Sequence, residues 1–224
     1  MKRAFSFIEL IVVIILVSIL IYIFAPRQNL NNAKLAAQQI VSHIRYARHL
    51  AIQDDKFDLQ TGGKNWRKSV WSVSFNNTTI GNCGGKSKTW RYSVYSNRQK
   101  DQKSELNSPY EVARNPSRSD RYLSPGWSGI SKKECGFVSD ELNLGAKFNI
   151  VNVSFSKSCG AEKRLSFDRF GRLVSNKTKN RIKKENCIIS ITENNGNTAK
   201  IIVYAKSGFA QICDQANIDC IVKK

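Results

Sequence analysis

The stretch MKRAFSFIELIVVIILVSILIYIFAPRQ (residues 1–28) carries one residue that does not fit its surroundings. From Phe5 to Phe24 the chain is almost wholly apolar, yet Glu9 sits near the start of the run. At 1.5 Å per helical residue such a run covers roughly 30 Å, the hydrocarbon depth of a bilayer. A carboxylate at membrane depth costs a few kcal/mol or more, so it is expected to have a partner and a task. The run is longer than the apolar core of a secretory signal, and YIFAPRQ behind it lacks a small-residue cleavage pattern. An uncleaved anchor is therefore expected. Lys2 and Arg3 precede the run and Arg27 alone follows it closely, which favours a cytoplasmic N-terminus and a C-terminal part on the far side.

Beyond Pro26 the pattern changes. Ala33, Ala37, Ile40, Ile44, Ala47 and Ala51 recur three and four apart, with Leu30, Val41 and Leu50 beside them. That spacing makes one face of an amphipathic helix. Gln38, Gln39, Ser42, Arg45 and Arg48 make the other face. Residues 26–56 thus read as a one-sided continuation of the apolar segment 5–25, bent or locally opened at Pro26. A one-sided helix needs a domain to pack on. The runs 70–75, 90–95, 147–155, 164–167, 187–192 and 200–205 are rich in β-branched and aromatic residues, several alternating with period two, and read as strands. ENNGN (193–197) joins the last two as a hairpin. Residues 97–121, polar and carrying Pro109 and Pro116, read as a long exposed loop. The expected class is α+β: a long N-terminal helix, with a transmembrane and an amphipathic half, on an antiparallel β domain over 57–224.

The 224 residues allow one core besides the anchor, and a 41% hydrophobic content excludes wholesale disorder. The formal charge of +19 gives a positive field that attracts phosphate-rich partners or anionic lipid. Six cysteines, Cys83, Cys135, Cys159, Cys187, Cys213 and Cys220, all lie beyond the apolar run. None forms a CxxC pair, and both histidines, His43 and His49, fall in the helical stretch, so no metal site is expected. Up to three disulfides are expected instead, in any of 15 pairings, with Cys213 and Cys220 the nearest neighbours. No Gly-rich phosphate loop, no nucleophile elbow and no histidine outside the N-terminal helix argue for an enzyme. Asp54-Asp55 and Asp140-Glu141 read as turn residues or helix ends.

Ala4-Phe5-Ser6-Phe7-Ile8-Glu9-Leu10 resembles the signal of type IV pilins and type II secretion pseudopilins: a short basic leader, a small residue before the cut, Phe, a hydroxyl residue and Glu fifth. The family usually has Gly where this chain has Ala4. The resemblance implies prepilin peptidase cleavage between Ala4 and Phe5, a leader of residues 1–4, and methylation of the new Phe5 amine. It also implies that Glu9 pairs with the N-terminus of a neighbouring subunit and sets the register of assembly. Its implied partners are other pilin or pseudopilin subunits, the peptidase, the inner-membrane assembly platform and the membrane, with no cofactor. The implied localisation is the inner membrane, single-pass, the domain periplasmic, within a pseudopilus or pilus.

LSFDRFGRLVSN (165–176) and CIISITENNGNTAKIIVYAKSGFAQIC (187–213) are similar to the end of the H-type pseudopilin (FimT-like) minor pilin domain. There Phe167, Gly171 and Arg172 match a Phe-x-x-x-Gly-Arg turn, and Gly208 matches the final strand. Gly171 is expected at positive φ. The expected function is a non-enzymatic minor subunit of a secretion pseudopilus or a pilus. The alternative is a DNA-binding minor pilin in natural transformation. For it the candidate basic patch is Arg169, Arg172, Lys177, Lys179, Arg181, Lys183 and Lys184, placed to neutralise successive phosphates if extended. Against it, relatives that handle DNA carry Gly-Arg-x-Arg on the last strand, where this chain has Gly208-Phe209-Ala210-Gln211.

Overall fold

A computed structural model describes residues 7–24, 31–54, 69–83, 87–96, 106–160, 163–175, 181–213 and 220. The chain divides into two units, residues 1–30 and 31–224. In the first, helix α1 (Phe7–Phe24) is built almost entirely of Ile, Leu and Val. All its described side chains, Phe7 to Ile21, are exposed. Among the described residues no helix is long and apolar enough to cross a membrane. Pro26 and the expected bend there lie outside the described residues, so the chain is seen as two helices rather than one long rod.

The second unit begins with α2 (Asn32–Gln53). Five alanines favour the helix, and Asn31 caps it, its Oδ1 accepting the Lys34 N–H at 2.9 Å. The helix closes at Asp54, whose amide donates to the Leu50 carbonyl and whose carboxylate accepts from Trp71 Nε1 at 3.0 Å. The buried stripe holds the expected Ala33, Ala37, Ile40, Val41, Ile44, Ala47 and Ala51, together with Ala36 and His43. Each large aliphatic buried there contributes about 1.5–3 kcal/mol.

Two antiparallel sheets receive this stripe. The first has strand order β2-β1-β6-β7-β8: β1 (Trp71–Thr78), β2 (Thr89–Ser96), β6 (Arg164–Phe167), β7 (Leu173–Ser175) and β8 (Arg181–Ile182). The second has order β11-β10-β9-β5: β5 (Ile150–Phe155), β9 (Cys187–Glu193), β10 (Thr198–Val203) and β11 (Ala210–Ile212). The β9–β10 hairpin turns at ENNGN as expected, with Gly196 at φ +88 and the Glu193 amide donating to the Asn197 carbonyl. The run 147–155 is not one strand. Its first residues end α3 (Leu144–Phe148), capped by left-handed Asn149, and the strand starts only at Ile150.

The expectation of an exposed loop over 97–121 is corrected for its described part. From residue 106 the chain forms a 3-10 turn (Pro109–Glu111) and the short hairpin β3 (Arg114–Asn115) and β4 (Arg118–Tyr122). Val112 and Tyr122 join Trp127, Ile130 and Val138 in a small core of their own. Parts of 106–143 thereby roof the outer face of the first sheet, while Ala113, Leu123 and Leu142 enter the main core and the backbones of Ala113 and Leu123 pair with Val94 at the β2 edge. Period-two alternation puts Trp71, Val73, Phe75, Tyr92, Val94, Leu165 and Phe167 into the main core. The opposite, polar face is also covered: Ser72, Arg91, Ser93 and Ser166 are all buried. Its hydroxyls pair among themselves and with the roof, Ser72 with Ser166 at 2.8 Å and Ser93 with Ser124 at 2.7 Å.

All six cysteines are joined: Cys83–Cys135, Cys159–Cys187 and Cys213–Cys220. The first fastens the roof beside β1, the second ties the segment after β5 to the start of β9, and the third closes the short loop behind β11.

Candidate functional site

The residues marked by the pilin-like signal divide sharply. Ala4 and Phe5 lie outside the described residues. Glu9 sits in the first turn of α1, the one acidic residue of that helix, and is exposed. It has no hydrogen-bond or ion-pair partner among the described residues. Burial of a carboxylate among apolar helices would demand a cation, and within α1 there is none.

The C-terminal signature residues meet in space. Between β6 and β7 the Asp168 carboxylate accepts the amides of Phe170 (3.0 Å) and Arg172 (2.8 Å), and Arg172 closes on it with Nε and Nη2, both at 2.8 Å. This builds the tight turn that requires Gly171 at φ +72, as expected from the sequence. A side chain at Gly171 would strike Arg48 and Ile52 of α2. Gly208 (φ +64) approaches the same turn so closely that a Cβ there would overlap the Gly171 carbonyl and crowd Phe167. Phe167, Gly171 and Gly208 thus form one nest where the two sheets and α2 converge.

Of the expected basic row only part falls among the described residues. Lys177 and Lys179 lie outside the described residues, as does the side chain of Arg181, whose backbone pairs with Ser175 in the β7–β8 hairpin. Lys183 turns inward, its Nζ donating to the carbonyls of Ser158 and Cys159. Arg172 is engaged with Asp168, and Lys184 is exposed. Arg169 and Arg172 both lie over the Phe170 ring, each 4.8 Å from its centroid.

The structure adds two arginines that the sequence placed only on a polar helix face. Arg45 Nε donates to the Ala210 carbonyl at 2.9 Å with its guanidinium 4.6 Å over Phe209, and Arg48 Nε donates to the Ser207 carbonyl at 2.6 Å. Positive charge therefore reaches the last strand from α2 and the Gly171 turn rather than from the strand's own residues. No sequence-local signal marks this, because the arginines come from the other end of the unit.

His43 is the buried histidine. Gln39 Nε2 donates to the Tyr92 hydroxyl (2.8 Å) and to the Glu141 carbonyl (2.8 Å), while the Tyr92 hydroxyl meets His43 Nδ1 at 2.7 Å. Burial lowers the His43 pKa to about 4 against a smaller upward pull from Glu141, and burial pushes the Tyr92 phenol up. This closed network joins α2 to β2 and leaves no base facing solvent. Among the described residues no group of His, Cys, Asp and Glu could hold a metal ion. Compared with known proteins, the chain matches no family model, no curated protein and no solved structure.

Proposed function

We propose that this protein is a non-enzymatic minor pilin or pseudopilin, assembled through its N-terminal helix into a secretion pseudopilus or a pilus. The observation that carries the proposal is α1: a helix of aliphatic residues, exposed at each described side chain, with a single carboxylate in its first turn. Such a surface is stable only in lipid or against apolar helices. The apolar run of sequence extends past α1 to Phe5, which gives the lipid-spanning length that the anchor requires. The N-terminus is cytoplasmic and residues 31–224 are periplasmic, in keeping with the three disulfides.

Cleavage between Ala4 and Phe5 removes Lys2 and Arg3 and creates an amine one helical turn from Glu9. The carboxylate answers the amine of the adjacent subunit, and one axial register is favoured, as a buried polar residue sets register in a coiled coil. The test is Glu9→Leu in the native host. Membrane insertion should persist, and incorporation into sheared filaments should fall at least about tenfold, the effect of losing one desolvated charge pair. Incorporation equal to the natural chain refutes the reading.

A second reading, a DNA-holding minor pilin, draws support from the meeting of Arg45, Arg48, Arg169 and Arg172 at the Gly171 turn. Gel shifts of the full chain in neutral detergent should then fade steeply with salt, because each phosphate contact releases counterions. Changing Arg45 and Arg169 together to Gln should weaken the shift, and no shift at low salt removes this reading.

A further inference from the structure

Under the roof, the polar face of the first sheet encloses a cleft of about 520 Å³. Its floor is β1, β2 and β6, and its cover is the segment 126–129. Two guanidinium groups line it, Arg91 and Arg164, and no Asp or Glu is among its described lining residues.

Arg91 is only 4% exposed. Its Nε donates to Asn76 Oδ1 at 2.7 Å, and Nη2 donates to the Thr78 hydroxyl and the Thr79 carbonyl, all neutral acceptors. Its Nη1 is buried without a hydrogen-bond partner, and so is Arg164 Nε. A buried cation is normally paired, and a buried donor normally bonded. Burial draws the Arg91 pKa down to about 10, so it remains charged at neutral pH.

The register explains how the two converge. Arg91 lies opposite Asn76 of β1, and Arg164 lies opposite Ser74 on the other side of the same strand. The two backbones are about 10 Å apart across the sheet and about 7 Å along it, within reach of two arginines leaning together. Arg164 stands with its guanidinium 5.4 Å from the Tyr95 ring centroid. Ser74 and Ser128 add hydroxyls to the lining, and Gly126 and Gly129, both at positive φ, bring backbone close to it.

We propose that this cleft binds a doubly charged tetrahedral oxyanion, of the phosphate monoester or sulfate class, between Arg91 and Arg164. Two cations without a lining carboxylate call for a charge of two. The free donors, the Nη1 amino group of one guanidinium and the Nε–H of a second, separated one, suit oxygens that diverge from one centre better than the parallel pair of a carboxylate. The proposal stands independently of the N-terminal reading.

The test is calorimetric titration of the full chain in neutral detergent with inorganic phosphate, sulfate, a hexose phosphate and acetate. Phosphate or sulfate should saturate below about 10 mM, with acetate at least about tenfold weaker. A hexose phosphate that binds tighter than the inorganic ion identifies an ester as the natural form, whereas equal affinity points to the free ion. Arg91→Gln strips three acceptors of their donors and can unfold the sheet, so the decisive variant is the half-buried Arg164→Gln. It should bind phosphate at least about tenfold more weakly with an unchanged circular dichroism spectrum, and the exposed Lys200→Gln should bind as the natural chain does. Acetate binding as tightly as phosphate, undiminished binding by Arg164→Gln, or no saturation with any anion overturns the proposal; in the last case the cleft holds water only.

Discussion

Helices α1 and α2 are of similar length, 18 and 22 residues, and have opposite relations to water. In α2 a stripe of nine residues is buried, and the remaining faces are mostly polar or part-covered, with Leu35 and Ile52 exposed. In α1 the composition is apolar on every side, and each described side chain is exposed. A helix apolar all round must be buried by something. For α2 that something is the chain's own pair of sheets. For α1 nothing among the described residues does so; the function proposed above assigns that role to lipid or other subunits, with Glu9 as the residue that sets their register.

The contrast can be broken most severely by moving the same charge between the helices. Ile44→Asp places an unpaired carboxylate at a site with no exposure and should cost about 4 kcal/mol or more, unfolding the second unit. Ile15→Asp should leave that unit's stability unchanged. Denaturant unfolding followed by tryptophan fluorescence reads this directly, since all four tryptophans lie beyond residue 31. Equal losses from the two variants would abolish the distinction.

A smaller effect sharpens how α2 is seated. Gly208→Ala adds a methyl onto the Gly171 carbonyl at positive φ, and about 3 kcal/mol should be lost. Gly196→Ala, equally left-handed but with open space around it, should lose only about 1 kcal/mol. Comparable losses would mean that the nest against α2 is loose.

The smallest effect is a pH dependence peculiar to α2. The folded pKa of His43 lies below its unfolded value of 6.5, so the unfolded chain binds the proton more tightly. Its stabilising contribution is complete above pH 6.5 and is lost progressively as pH falls toward about 4. Between pH 7 and pH 5 the loss should be about 2 kcal/mol. His43→Gln should flatten that difference in denaturant titrations at the two values. An unchanged slope would assign it to other groups.

The sequence made the two helices, six strand segments and the β9–β10 turn legible, because periodicity and turn residues are local signals. Gly171 was readable for the same reason: a turn between two short strands needs positive φ. The short strands β3, β4 and β7, β8 were not readable, since two to five polar-rich residues carry no period. The roof was hidden for a different reason. Alternation such as WSVSFNNT ordinarily marks one wet face, and nothing local says that residues 106–143 return to cover it. In the basic stretch Lys183 meets carbonyls and Arg172 meets Asp168, contacts set by the tertiary fold and unmarked in the local sequence. The roles of Arg45, Arg48, Arg91 and Arg164 have no local signature, since they arise from neighbours more than 100 residues away or across a strand.

The composition of that roofed face bears on how the molecule matures. A sheet surface of hydroxyls, amides and guanidinium groups tolerates solvent, so residues 124–138 can settle on it after the main core, which takes in Ala113, Leu123 and Leu142 from their flanks, has closed. Oxidation of Cys83 with Cys135 can then come last, as a latch on that segment. Without that latch, release of the segment would uncover the hydroxyl-lined sheet face together with the small core of Val112, Tyr122, Trp127, Ile130 and Val138.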